Sequence, residues 1–198
     1  FYSLGYNVLA ADARAHGDSE GTKIGMGWPE RFDVIEWIKL IISWDSNAQI
    51  ILHGVSMGAA TVLMASGEEL PENVKVIIAD CGYTSEWDEF KCEANALHIP
   101  WFPVLNAASV MSRLRDGYDF KQASALEQVK QSRIPTLFIH GSDDELVPYS
   151  MLDKLYSAAA CEKECLTVNG AGHALSSSVE PELYWNTVES FIDKYLEK

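Results

Sequence analysis

The chain has 198 residues, of which 47% are hydrophobic and 22% are charged, and its formal net charge is −14 at pH 7. This length suffices for one sizeable core, so we expect a single domain over residues 1–198. The 29 acidic residues outnumber the 15 basic ones, which disfavours nucleic acid and anionic membranes as partners because phosphate binding depends on clustered lysine and arginine. No apolar run reaches the ~18 residues needed to span a bilayer.

The first predicted elements are a strand over residues 7–11, a polar loop over 12–21 and a glycine-containing loop over 24–28 that ends in Trp28. Residues 29–44 then carry apolar side chains at helical spacing and predict a helix. Its core-facing residues are expected to be Phe32, Ile35, Ile38 and Ile42.

A second strand is predicted over residues 49–53, and the pattern Gly-x-Ser-x-Gly follows it with Ser56 at the centre. A strand that runs through this pattern into a helix is typical of a nucleophile elbow, a tight turn that exposes a strained serine above the sheet. Gly54 and Gly58 are expected to leave room where a Cβ atom would collide. The alternative for Ser56 is an ordinary helix N-cap, so the nucleophile interpretation requires a base and an acid elsewhere.

A third strand is predicted over residues 74–79 and is followed by Asp80. Residues 85–133 then show helical patterns and no strand. Two interpretations of their apolar side chains stay open, a substrate pocket lined by Trp101 and Phe102, or helices that pack an apolar face onto the sheet. The same choice applies to Trp28.

The candidate acid follows the next predicted strand, residues 136–140. Asp143 and Asp144 lie in the loop beyond its carboxyl end, where catalytic residues of open α/β sheets gather. Spacing favours Asp144, with Asp80 as the alternative. Such a carboxylate would accept the Nδ1 proton of a histidine and stabilise the imidazolium that forms when Nε2 takes the serine proton.

The candidate base is His173, in a glycine-rich loop after the strand predicted over residues 164–168. A loop of this kind reaches across the edge of a sheet rather than into a core. A closing amphipathic helix is predicted over residues 181–196. The other four histidines are expected to have structural roles: His16, His53, His98 and His140.

The cysteines show no Cys-x-x-Cys spacing and no neighbouring histidine pair, so spacing predicts no zinc site. Free thiols in a reducing cytosol are expected for all four: Cys81, Cys92, Cys161 and Cys165. We accordingly expect a cytoplasmic protein, and a signal or anchor upstream of residue 1 stays compatible with the sequence.

Together these motifs resemble those of the α/β-hydrolase superfamily of esterases, lipases and serine peptidases. The family pattern His-Gly-x-x-Asp-x-x-Val-Pro matches residues 140–148, and the pattern Asp-x-Arg-Gly-His-Gly-x-Ser matches residues 12–19 with Ala15 in place of glycine. Residues 24–28, 80–85 and 117–120 further resemble a bacterial subgroup of esterases and serine aminopeptidase-like proteins.

The resemblance implies an α/β-hydrolase fold, a mostly parallel sheet with helices on both faces and a short cap over about residues 85–133. Strand 7–11 would then be the fourth strand of the family, so we expect the chain to be a fragment that lacks ~80 to 120 N-terminal residues, strand three included. Of the two N–H groups of the oxyanion hole, only that of Met57 would be present. Loss of one such donor costs about 100-fold to 1,000-fold in rate, so the fragment itself would be a poor catalyst.

We therefore predict a serine hydrolase that cleaves short or medium acyl esters with Ser56, His173 and Asp144 and needs no cofactor or metal. The expected partner is a small ester or a short peptide. A peptidase or amidase on the same fold, or a non-catalytic binding relative, are the alternatives.

Overall fold

The computed structural model describes residues 1–196 and contains one four-stranded sheet. Its strands are β1 (Ile50–Val55), β2 (Val74–Asp80), β3 (Thr136–Gly141) and β4 (Lys163–Val168). They lie side by side in chain order and every neighbouring pair is parallel. The four strands predicted between residues 49 and 168 are confirmed to within two residues at each end.

A short 3₁₀ helix and eight α-helices surround or connect these strands within residues 1–196. The helices are η1 (Tyr2–Leu4), α1 (Glu30–Trp44), α2 (Met57–Ala65), α3 (Glu86–Ala96), α4 (Trp101–Asp116), α5 (Ala125–Val129), α6 (Ser150–Ala158), α7 (Ser176–Val179) and α8 (Pro181–Ile192). The predicted helix 29–44 is confirmed as α1. Ile38 is buried as expected, whereas Phe32, also expected to face the core, is 49% exposed. The closing helix is shorter than the predicted 181–196, because Lys194 and Tyr195 donate to carbonyls only three residues back, in turns tighter than an α-helix. None of the helices described combines the length and apolar character required to cross a membrane.

The strand predicted over residues 7–11 is wrong. These residues have no regular secondary structure, and Val8 and Leu9 are exposed. A β-strand is held by a ladder of hydrogen bonds to a neighbour, and within residues 1–196 the sheet ends at β1 with no strand paired to its other side. The alternation of apolar residues was therefore insufficient to define a strand.

The core is divided by the sheet into two clusters, because successive side chains of a strand point to opposite faces. Ile77 of β2 and Phe138 of β3 pack on one face with helices α1, α2, α5 and α6. Ile78 and Ile139 pack on the other face with α8. Since both faces are covered, β2 and β3 are buried along almost their whole length, as expected for a parallel sheet.

Residues 85–133 contain α3, α4 and α5 and no strand, as predicted. Helix α4 turns polar side chains toward the protein: the Ser112 hydroxyl donates to the carbonyl of Tyr118 at 2.9 Å, and Ser109 Oγ accepts from Phe120 N–H at 3.1 Å. Its opposite side is apolar and exposed, with Leu114 at 77% exposure. The interpretation that the helices pack an apolar face onto the sheet therefore does not describe α4.

Two glutamates near the start of α3 are buried with incomplete hydrogen bonding. Glu86 and Glu89 are 3% and 5% exposed, and within residues 1–196 the Oε2 atom of each has no hydrogen-bond partner. Burial, with the nearby charges of Glu30 and Asp116, raises the pKa of Glu86 to about 8. Burial, with the charges of Glu93 and Asp144, raises the pKa of Glu89 to about 7. Both carboxyl groups therefore hold their protons to a higher pH than an exposed glutamate does.

The Glu86→Gln variant is expected to be more stable than the parent chain at pH 8 and about equally stable at pH 4. The folded state keeps the Glu86 proton up to pH about 8, whereas an unfolded glutamate releases it near pH ~4.3, so between these values stability falls as pH rises. Glutamine is uncharged and removes this dependence. Urea unfolding at both pH values measures the effect, with Glu72→Gln at an exposed turn as the control. Equal gains for both variants at pH 8 would contradict the assignment.

Candidate active site

Ser56 stands in a tight turn between β1 and α2. Its backbone angles are φ 55° and ψ −117°, outside the regions that a non-glycine residue ordinarily adopts. The turn is held on both sides, because Ser56 N–H donates to the carbonyl of Asp80 at 2.9 Å and the Ser56 carbonyl accepts from Ala60 N–H at 3.0 Å. This is the strained strand-to-helix geometry of a nucleophile elbow. Although Ser56 precedes α2, its side chain makes no capping hydrogen bond, so the N-cap alternative is wrong.

The two glycines of the pattern have different roles. A Cβ atom on Gly54 would lie 2.2 Å from the backbone of Gly58, a contact that the turn cannot accommodate without moving. A Cβ atom on Gly58 would meet nothing within 4 Å. We expected both glycines to leave room in the turn, and this is correct for Gly54 and wrong for Gly58. The backbone of Gly58 occupies the space that a Gly54 side chain would need, whereas the space beside the Cα atom of Gly58 is open.

The imidazole of His173 lies between Ser56 and Asp144. Its Nε2 atom is 2.8 Å from Ser56 Oγ, and its Nδ1 atom is 2.9 Å from Asp144 Oδ2. An ionised carboxylate only accepts hydrogen bonds, so Nδ1 carries the proton of a neutral ring and Nε2 accepts from the serine hydroxyl. The three side chains thus form one continuous hydrogen-bonded chain.

Asp144 is held by hydrogen bonds to both carboxylate oxygens. Oδ1 accepts from the N–H groups of Leu146 and Val147 at 3.0 and 2.9 Å, while Oδ2 faces His173 and lies 3.3 Å from His140 Nε2. Burial by itself raises the pKa of this fully buried carboxyl, but the hydrogen bonds from His140, His173 and Val147 outweigh burial and leave the pKa below its usual value. Asp144 is therefore ionised around neutral pH.

His140 contacts the carboxylate of Asp144 as well as the backbone. It is buried, and its Nε2 atom lies 2.9 Å from the Val147 carbonyl in addition to its approach to Asp144. The sequence predicted a structural role for His140 but not this contact. The spacing of four residues between His140 and Asp144, across the turn that follows β3, was the available signal.

The structure brings Asp144, and not the alternative acids, to His173. Asp143 is exposed and accepts from the Ser142 hydroxyl at 2.6 Å. Asp80 is buried and accepts from the Ser176 hydroxyl at 3.3 Å. Burial raises the pKa of Asp80, opposed by hydrogen bonds from Tyr184 and Ser176.

Cys81 lies against this group of side chains, which the sequence did not indicate. It follows β2 directly, is fully buried, and has a positive φ of 48°. Its Sγ atom, a ring nitrogen of His173 and a carboxylate oxygen of Asp144 all lie within 4.8 Å of one another. Burial, with the charge of Asp80, raises the pKa of the thiol to about 12, so Cys81 is a neutral thiol.

The remaining predicted site residues are placed as follows. Met57 is the first residue of α2, where backbone N–H groups have no partner within the helix. The guanidinium of Arg31 lies 3.5 Å from the ring centroid of Trp28. Trp101 and Phe102 form an edge-to-face pair at 6.2 Å, and Phe102 is 66% exposed. A substrate role for these three aromatic residues stays a prediction.

The parallel sheet and the strand-turn-helix at Ser56 define an α/β-hydrolase of the serine hydrolase class. Residues 25–198 match the model of the prolyl oligopeptidase family, and the chain belongs to that family.

Similar proteins agree with this class. The chain is 31% identical over 195 residues to the uncharacterized protein YqkD of Bacillus subtilis. This match covers 98% of the chain and 64% of YqkD. It is 31% identical over 159 residues to the lysophosphatidylserine lipase ABHD12 of Macaca fascicularis, covering 80% of the chain and 39% of the lipase. The chain thus spans less than two thirds of the length of these relatives.

Among solved structures, the Pyrococcus furiosus esterase Pf2001 superposes with a TM-score of 0.78 at 23% identity, over 98% of this chain and 73% of the esterase. At this level of identity the similarity establishes the fold. The predicted α/β-hydrolase fold is confirmed.

A matched pair of glycine variants tests the elbow. Gly54→Ala is expected to destabilise the fold by about 3 kcal/mol or more, because the new methyl group overlaps the backbone of Gly58. Gly58→Ala is expected to be neutral or to stabilise the fold by up to about 1 kcal/mol, since alanine favours the helix and has free space. Denaturant unfolding of both variants measures the difference, and similar stabilities would contradict this geometry.

Proposed function

We propose that the protein hydrolyses carboxylic esters by acyl transfer, with Ser56 as nucleophile, His173 as general base and Asp144 as the acid that orients His173. The observation that carries the proposal is the unbroken hydrogen-bonded chain from Ser56 Oγ through His173 to Asp144, with distances of 2.8 and 2.9 Å. Asp144, whose pKa is held below its usual value, also supplies the ionised carboxylate that the reaction requires.

In the first step, Ser56 Oγ attacks the ester carbonyl while its proton passes to His173 Nε2. Asp144 stabilises the imidazolium because its carboxylate already accepts the Nδ1 proton. The imidazolium then gives the Nε2 proton to the leaving alcohol, which departs as the carbonyl re-forms in an acyl-enzyme. A water molecule, deprotonated by the same nitrogen, cleaves the acyl-enzyme and returns the proton to Ser56.

The tetrahedral intermediates of both steps carry a negative oxygen that needs hydrogen-bond donors. Met57 N–H is the proposed donor, because it follows the nucleophile at the start of α2, where the helix dipole also favours negative charge. We propose that Trp28, Trp101 and Phe102 contribute to binding the acyl or aromatic part of the substrate. The support for this assignment is that Phe102 is exposed and that Trp28 and Trp101 are only half-buried.

Esters are preferred as the substrate class over amides for two reasons. The lipase and the esterase among the similar proteins are named for ester cleavage. Ester hydrolysis is also less demanding, since an alcohol leaves without the full protonation that an amine requires. A peptidase is the second candidate, supported by the prolyl oligopeptidase family match and by the structural similarity to a Pyrococcus horikoshii acylaminoacyl peptidase, TM-score 0.67 at 16% identity.

Labelling with a fluorophosphonate probe, followed by intact mass, tests the nucleophile. We expect one adduct per chain, lost in Ser56→Ala and retained in Ser178→Ala, which removes an exposed hydroxyl from α7. Asp144→Asn is expected to slow labelling by up to about 10⁴-fold, because His173 would hold the wrong tautomer. Circular dichroism verifies that each variant is folded.

Hydrolysis of matched p-nitrophenyl esters and p-nitroanilides with the same acyl group then separates the two substrate classes. Turnover of the esters alone supports the proposed esterase, whereas comparable kcat/KM values for the anilides support the peptidase. Labelling that persists in Ser56→Ala would assign the nucleophile to another residue. A folded chain that does not label, even when the incubation is lengthened about 1,000-fold to allow for a single oxyanion donor, would contradict catalysis by Ser56 and favour a binding protein on this fold.

A further inference from the structure

Three loops deliver a sulfur, a nitrogen and an oxygen donor to one point. Cys81 follows β2, Asp144 follows β3 and His173 follows β4. One ligand atom of each lies within 4.8 Å of the other two. Spacing along the chain gave no indication of this cluster, because its members are 63 and 29 residues apart in sequence and only the parallel sheet brings them together.

This donor set matches the coordination chemistry of zinc. Thiolate, imidazole and carboxylate bind Zn²⁺ at about 2.3, 2.0–2.1 and 2.0–2.2 Å, so ligand atoms around one tetrahedral ion are ~3.3 to 3.8 Å apart. His173 Nδ1 and Asp144 Oδ2 are already 2.9 Å apart. With all three atoms within 4.8 Å, the separations need to change by about 1.5 Å or less to surround an ion.

We propose that Cys81, Asp144 and His173 form an inhibitory site for a thiophilic divalent cation such as Zn²⁺, which competes with the catalytic use of His173. The regulatory part of this inference rests on the proposed function. The fourth ligand would be a water molecule, as at zinc sites with three protein ligands.

The proton balance makes metal binding and catalysis mutually exclusive. On binding, the Cys81 thiol releases one proton to solvent, and Asp144 binds as the carboxylate that it already is. A neutral imidazole that donates one nitrogen to the metal carries its proton on the other. If Nδ1 binds the ion, Nε2 is protonated and cannot accept the Ser56 proton; if Nε2 binds the ion, its lone pair is occupied. Either arrangement removes the general base.

The ion would enter from the His173 side. The side chains of Cys81 and Asp144 are buried, while that of His173 is 21% exposed and stands on a loop with glycine at positions 170 and 172. Movement of this loop opens the cluster without disturbing β2 or β3. We therefore expect inhibition to develop over a preincubation rather than at once, and a chelator to reverse it.

Cobalt binding tests the site without reference to activity. Co²⁺ titrated into the Ser56→Ala chain is expected to give a thiolate-to-cobalt charge-transfer band that Zn²⁺ displaces. Cys81→Ala, and Cys81→Ser as a second variant in case one is poorly folded, should lose the band. Cys92→Ala, which removes a half-buried thiol from α3, should keep it.

Zinc inhibition of fluorophosphonate labelling tests the regulatory consequence. Labelling of the chain should be suppressed by Zn²⁺. With each chain compared with its own metal-free rate, Cys81→Ala should need at least about tenfold more Zn²⁺ for the same fractional suppression. Absence of the cobalt band, or a band that persists without Cys81, overturns the metal site. If the cobalt band forms but Zn²⁺ does not affect labelling, the inhibitory role of the metal site is overturned. If the cobalt band forms in a folded chain that never labels, the proposed function is contradicted and the metal site stands.

Discussion

Parallel pairing of the four strands is the constraint on which the site depends. In a parallel sheet all strands end at the same edge, so residues remote in sequence meet there. The registers bring Val55 of β1 opposite Asp80 of β2, and Gly141 of β3 opposite Val168 of β4. Backbone hydrogen bonds continue just past the strand ends, from Ser56 N–H to the Asp80 carbonyl and from Cys81 N–H to the Ile139 carbonyl, both at 2.9 Å. The loops therefore leave the sheet with fixed directions.

The turn that follows β3, at this edge of the sheet, also keeps the Asp144 carboxylate ionised. Removing a carboxylate from water costs several kcal/mol, and this cost alone would leave a buried aspartate protonated. Two backbone N–H groups and two histidines reverse the balance at Asp144 and keep it ionised. At Asp80, one strand away, burial is the larger effect and the pKa rises. The difference lies in the turn after β3, whose N–H groups at Leu146 and Val147 point at the carboxylate.

The sequence predicted those parts of the molecule that depend on local pattern or strong motifs. This group includes the four apolar strands, helix α1 and the meeting of Ser56, Asp144 and His173. Buried parallel strands are continuous apolar runs, and the motifs that carry these three residues follow the strands directly. The assignment of the site's chemistry still rests on the proposal.

What the sequence could not predict depends on packing between distant segments. Residues 7–11 have a strand-like pattern but no hydrogen-bonding neighbour within the described chain, and periodicity carries no information about partners. The free space beside Gly58 and the position of Cys81 against His173 follow from how loops approach one another. In α4 the inward serines are satisfied by Tyr118 and Phe120, so the apolar face is left outside, against the usual expectation for an amphipathic helix.

The central claim is that the Nδ1 proton of His173 is held by Asp144, and proton NMR of the chain labelled with ¹⁵N-histidine tests it most directly. We expect a low-field N–H resonance that is lost in His173→Gln, which assigns it, and that is lost or shifted far upfield in Asp144→Asn. His140→Gln should leave the resonance in place, since His140 is a separate donor to the same carboxylate. A His173 resonance that is unchanged in Asp144→Asn would contradict the account.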